Sequence, residues 1–134
     1  MTIRGLRYAT PALLFLLTAA AAFPAAAQTF DETVAAYDRG DYATAFRGFR
    51  RLAEQGDAKA QYYLGALYED GTGVPQDYAR AVQWYRSAAL KGDPEGQTAL
   101  GYMHHTGKGV PRDFSEAIWW YRRAAEQGLS LIHI

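Results

Sequence analysis

Three groups of residues could do chemistry in this chain, and each sets a geometric condition. The pair His104-His105 supplies two imidazoles, common ligands of zinc and copper. Neighbours on a helix project about 100° apart, so the pair cannot close on one ion, and no third ligand stands at a useful spacing. The run Gly71-Thr72-Gly73 has the G-x-G form of a phosphate cradle. It follows a helical stretch instead of a strand and lacks the lysine–hydroxyl pair of a P-loop, so its glycines read as turn residues. The carboxylates fall where helix caps or solvated surface are expected, with no Ser–His–Asp arrangement among them. The chain has no cysteine, which excludes disulfides, thiolate metal sites and a cysteine nucleophile. No enzyme activity, metal or cofactor is expected.

What remains is a surface suited to holding a partner. Lys59, Tyr62, Tyr63, Glu69, Glu95, Tyr102 and His105 lie off the packing faces of two helices. Tyrosines mixed with a few charges give rigid contact area at low entropy cost. The competing reading is that Tyr62, Tyr63 and Tyr102 simply pack between structural units. Trp119 joins the candidates as either a binding anchor or a residue covered by a further unit, and the second reading is preferred.

The elements that position these residues follow from an internal repeat. Leu64, Gly65, Gly71, Gly73, Val74, Pro75, Asp77, Ala81, Trp84, Tyr85, Arg86, Ala88, Ala89 and Gly92 all recur 36 residues later, from Leu100 to Gly128. A fixed period of this size marks a stacked array. Residues 57–92 and 93–128 are the two units, each read as two helices around a structured loop. Ala60, Leu64, Gly65 and Tyr68 share one helical face. Asp57 and Asp93 cap the first helices, and Asp77 and Asp113 the second, with Glu116 completing a capping-box-like pair at Asp113. Gly65 and Gly101 stand mid-helix, where glycine costs roughly 1 kcal/mol against alanine. Such a cost implies a backbone passing too close for a side chain. Gly71 is a left-handed helix end, Val74 and Val110 plug the loops, and Gly92 and Gly128 end the second helices. Residues 28–56 form a shorter helix pair, with Phe30–Asp38 turning into a second helix at Asp41.

The pattern A-x-x-x-L-G-x-x-Y-x-x-G-x-G-V-x-x-D-x-x-x-A-x-x-W-x-x-x-A-A-x-x-G is filled by Ala60 through Gly92. The second copy departs from it only at Gly96 and His104. This resembles the Sel-one-like repeat, a relative of the tetratricopeptide repeat, and Tyr37, Gly40, Asp41, Tyr42 and Ala45 resemble a tetratricopeptide unit before it. The resemblance implies an all-α fold, a right-handed α/α superhelical solenoid of helix–turn–helix repeats whose first helices line a concave binding side. It implies a scaffold or adaptor for a protein or peptide partner, in envelope signalling or regulation among similar exported bacterial proteins. A cysteine-rich branch is linked to β-lactam binding or hydrolysis, so a cell-wall or β-lactam-type ligand is the alternative.

Targeting and charge narrow the setting. Arg4 and Arg7, the apolar run Ala12–Phe23, Pro24 and Ala25-Ala26-Ala27 make up a secretory signal over residues 1–27. The apolar run is shorter than the roughly 20 residues that span a bilayer, so no membrane anchor is expected after cleavage. Export to a bacterial periplasm, or secretion, follows. Without Arg4 and Arg7 the fourteen basic residues fall to twelve against fourteen acidic, a balance without the footprint of a nucleic-acid binder. Residues 129–134, Leu-Ser-Leu-Ile-His-Ile, break the repeat and resemble one reading frame of a sequencing-library adapter, so they are expected to be a read-through tail. The last full helix, Phe114–Gln127, then lacks a neighbour. Trp119, Trp120 and Tyr121 are expected to leave aromatic surface open and to favour self-association through this C-terminal edge.

Overall fold

The computed structural model describes residues 28–132, with side chains through residue 128. The expected signal segment 1–27 and part of the expected tail therefore lie outside the described residues. Six α-helices and no strand are found among the described residues: α1 Phe30–Asp38, α2 Tyr42–Glu54, α3 Ala58–Asp70, α4 Tyr78–Leu90, α5 Pro94–Thr106 and α6 Phe114–Ile132. Each packs on the next in sequence, and α3 also meets α5. This is the expected all-α array of helix pairs.

Helix starts are set by local side chains. Asp41, Asp57, Asp77, Asp93 and Asp113 each accept a hydrogen bond from the backbone amide three residues on, at 2.8 to 3.3 Å. A full reciprocal capping box forms at Thr29 and Glu32, at 2.9 and 3.2 Å. At Asp113 only the aspartate half forms, because the Asp113 amide already donates to the His104 carbonyl at 2.9 Å. The helices α3 and α5 end at Gly71 and Gly107, with φ of 70° and 73°, where the cap amides return to Leu67 and Met103. Val74 and Val110 are half-buried against the core, as plugs should be.

Two expectations need correction. Gly128 does not end α6, which runs on to Ile132. After Gly92 come Asp93 and Pro94, a cap and a first-turn proline that begin the next helix, whereas Leu-Ser-Leu-Ile after Gly128 is free to continue one. Gly65 and Gly101 are crowded mainly by rings, not by backbone. A Cβ at Gly65 would lie 2.6 Å from Tyr85 Cδ1 and 3.2 Å from the Ala81 carbonyl, and one at Gly101 would lie 2.9 Å from Tyr121 Cδ1. Each glycine is a seat for the tyrosine of the following helix.

The units stack through two contacts that also recur. Gln61 donates to the Ala53 carbonyl at 3.1 Å and Gln97 to the Ala89 carbonyl at 3.2 Å, both buried. The loop glycines Gly73 and Gly109 press on the carbonyls of Tyr42 and Tyr78, at the start of the preceding unit's second helix. The core between them holds Phe49, Leu64, Tyr85, Leu100 and Met103, all fully buried.

The last helix is open on its outer side. Ile118 is 54% exposed while Val82, its counterpart one unit earlier, is 5% exposed beneath the following unit. Phe114 is as exposed as Ile118. Trp120, expected to be uncovered with Trp119, is buried instead and joins the core cluster. Trp120 lies one helical turn from the buried Ala117 and shares its inward face, while Trp119 falls beside Ile118 on the outer side.

Candidate functional site

The eight candidate residues divide by what they touch. Tyr63 lies flat on Phe49, with centroids 4.9 Å apart and an interplanar angle of 6°, and meets Phe30 edge-on at 5.8 Å. It is a packing residue. Lys59 and Glu95 pair at 3.6 Å and tie α3 to α5 across their exposed sides. His105 rests against the rings of Phe114 and Tyr121. His104 is buried with neither ring nitrogen bonded, so the two histidines do face apart.

The remaining candidates on the first helices meet in one place. A groove of about 750 Å³ runs between α3 and α5, walled by Tyr62 and Glu69 on one side and by Glu95, Thr98 and Tyr102 on the other. Its floor is Tyr85, Tyr121, Ala124 and Ala125 from the second helices. Tyr62 leans on Tyr85 with centroids 5.9 Å apart. The Tyr85 hydroxyl donates to Glu69 Oε1 at 2.6 Å. Tyr102 is 39% exposed, and its hydroxyl accepts from the Lys108 ammonium at 3.2 Å. In the sequence Tyr85 stands only as one of the recurring residues, and its counterpart Tyr121 only as part of the expected open C-terminal edge. A recurring aromatic carries no signal that its far edge also floors a groove.

Trp119 stands elsewhere, 48% exposed on α6, meeting Trp120 edge-on and covered on one face by Arg123. Its counterpart Gln83 lines a smaller cleft of about 510 Å³ between α2 and α4, with Arg50, Glu54 and Arg80. Gln83 is exposed although a complete unit follows it. A further unit would therefore leave the Trp119 position uncovered, against the preferred expectation.

The groove's electrostatics are one-sided. Its lining contains two carboxylates, Glu69 and Glu95, and no lysine or arginine. Burial, and then the bond to Glu69, push the Tyr85 phenol far above its ordinary range, so it stays a proton donor. Burial pushes the Tyr62 phenol up as well, followed by the nearby charge of Glu95. What this site can do is hold a shape with hydrogen bonds, ring faces and negative charge. None of the lining side chains pairs a nucleophile with a base.

Fold and site together define an α/α repeat array with a groove between adjacent first helices. Two matches to the Sel1 repeat cover residues 58–93 and 94–129, and the chain belongs to that family. Proteins with this repeat are in the main interaction scaffolds. Similar solved structures include c5321, a protective antigen present in uropathogenic Escherichia coli strains that displays an SLR fold, at 47% identity and a TM-score of 0.71. That likeness covers 87% of this chain and 26% of the antigen. A Sel1 repeat protein from Oxalobacter formigenes is 40% identical with a TM-score of 0.62, over 65% of this chain and 35% of that one. Helicobacter pylori cysteine rich protein B (hcpB) is 30% identical with a TM-score of 0.60, over 63% of each chain. The chain thus spans less than two thirds of each of these proteins. No curated protein sequence matches it.

Proposed function

We propose that this chain is a non-enzymatic adaptor that holds a segment of a protein partner in the groove between α3 and α5. One observation carries the reading. The walls of the groove are built at positions where the two units differ, while the positions they share build the fold. Tyr62 corresponds to Thr98, Glu69 to His105, Glu95 to Lys59 and Tyr102 to Ala66. A repeat array specifies its partner through residues that its pattern leaves free.

The test is site-specific photocrosslinking in the cell of origin. A photoreactive residue in place of Tyr102 is expected to capture a partner that the same residue in place of Gln83 does not. Tyr62→Ala is expected to weaken that capture. Equal capture from positions 102 and 83 removes the groove from the mechanism.

Two further readings are proposed with it. The adaptor works after export, with residues 1–27 removed and the mature chain beginning near Gln28, as the order of charge, apolar run and small residues supports. Cell fractionation and N-terminal sequencing check this. The exposed Phe114 and Ile118 support self-association through the outer side of α6.

A further inference from the structure

The chemistry of the groove also restricts what can occupy it. We infer that the segment it takes is cationic, entering with an arginine, or less favourably a lysine, between the tyrosine rings and Glu69. This rests on the reading of the groove as a partner site and adds the partner's chemistry to it.

Three observations carry the inference. The first is charge complementarity, since every charged side chain lining the groove is a carboxylate. Glu95 is half-exposed and already faces Lys59 at 3.6 Å, an ion pair of the kind worth little and easily exchanged. Glu69 forms no ion pair with any described residue. An approaching cation would find one carboxylate free and a second weakly held.

The second observation is that Glu69 is pre-oriented. Its Oε1 is fixed by the hydroxyl of Tyr85, a residue only 2% exposed and seated on Gly65. No described residue donates to Oε2. A carboxylate held by one oxygen and open at the other suits a planar guanidinium, which loses little freedom on binding it. The third observation is a precedent at the rim. Lys108 places its ammonium 5.1 Å from the Tyr102 centroid and 5.5 Å from that of Tyr78, within cation–π range. The chain already uses one ring of this groove to hold a cation of its own. An acidic segment would instead meet Glu69 and Glu95 without a cation in the lining to receive it, and like charges brought together in a concave site oppose binding.

Fluorescence anisotropy of the intact chain with labelled, end-capped peptides tests this. The peptides share one length and one sequence, except that the same positions carry arginine, glutamine or glutamate. The arginine peptide is expected to bind roughly ten-fold or more tighter than the glutamine peptide, and the glutamate peptide weakest. Glu69→Gln keeps an acceptor for the Tyr85 hydroxyl and removes the charge, so it is expected to erase most of the arginine preference without unfolding the chain. Glu54→Gln, a carboxylate outside the groove, is expected to change nothing. Tyr102→Ala should weaken the arginine peptide and leave the melting curve in place. If glutamine or glutamate peptides bind as tightly as arginine, and Tyr62→Ala still weakens them, the cationic preference is overturned while the groove remains the site. If no peptide responds to either tyrosine substitution, the groove reading falls, and this inference falls with it.

Discussion

Glu69 and Tyr85 are joined by a 2.6 Å hydrogen bond that fastens the end of one helix to the middle of the next. Their counterparts, His105 and Tyr121, meet only through their rings, with centroids 6.4 Å apart. The shared tyrosine builds both units, and the differing partner gives one of them a fixed carboxylate.

Gly65→Ala probes that arrangement. Alanine would recover about 1 kcal/mol of helix propensity, but its Cβ would stand 2.6 Å from the Tyr85 ring. The ring has no free direction, being buried and tied to Glu69, so the overpacking term wins and a net loss of about 1–2 kcal/mol is expected. Gly101→Ala should lose less, because the contact there is 2.9 Å and Tyr121 is only half-buried without a carboxylate partner. Urea denaturation of the two variants measures the difference, and a larger loss at Gly101 would contradict it.

Tyr85→Phe should show its effect in the pH dependence of stability. The Tyr85 proton is held far above the ordinary phenol range by burial and by Glu69, while in the unfolded chain it leaves near pH 10. A group raised on folding stabilises fully below its unfolded value, and that contribution is lost as pH climbs above it. Stability of the native chain is thus expected to fall above about pH 10, with Tyr62 and Tyr121 shifted in the same direction. Tyr85→Phe should lose about 1–2 kcal/mol at neutral pH and make the alkaline decline shallower. Melts at pH 8 and pH 11 check both parts, and an unchanged alkaline slope would count against the assignment.

Much of this fold was written locally. Asp41, Asp57, Asp77 and Asp93 announce their helices because a cap acts within three residues, and Gly71 announces an end because only glycine takes its left-handed turn easily. The pattern T-x-x-E at Thr29 is equally local, its capping box closing within the four residues from Thr29 to Glu32. Gln61 and Gln97 recur at the repeat period, yet their burial on the carbonyls of Ala53 and Ala89 depends on how units dock, which propensity does not encode. The site was half legible for the same reason. Tyr62 and Tyr63 are adjacent and alike, and only the position of Phe49 on α2 decides that Tyr63 stacks inward while Tyr62 borders the groove.

Asp93→Asn separates the cap at the start of α5 from its charge. The Asp93 carboxyl is pushed above its ordinary range by burial, against the opposing bond from the Gly96 amide. A raised carboxyl stabilises below the unfolded value near 3.9 and loses that contribution as pH rises, so at neutral pH the ionised group is a burden. Asparagine keeps the cap without the charge. The variant is expected to match or exceed the native chain in stability at pH 7 and to lose that advantage near pH 3. Asp93→Ala, which removes the cap, should lose about 1 kcal/mol at pH 7. Thermal melts at the two pH values decide it, and an asparagine variant as weak as the alanine one would refute the charge argument.

Ile118→Gln and Trp119→Gln test how the open side of α6 is used. Both residues are about half exposed, so neither change should move stability by more than about 0.5 kcal/mol. They differ in what a neighbour would cover. Val82, the counterpart of Ile118, is buried by the loop at Gly109, whose Cβ would stand 3.0 Å from Val82 Cγ2. Gln83, the counterpart of Trp119, stays in solvent under the same neighbour. Self-association that reuses the stacking surface therefore runs through Ile118. Sedimentation velocity across a concentration series is expected to show Ile118→Gln shifted toward monomer and Trp119→Gln unchanged. The reverse pattern would move the contact to the tryptophan side of the helix, where Arg123 already lies across the ring, and would make Trp119 the anchor of a different interface.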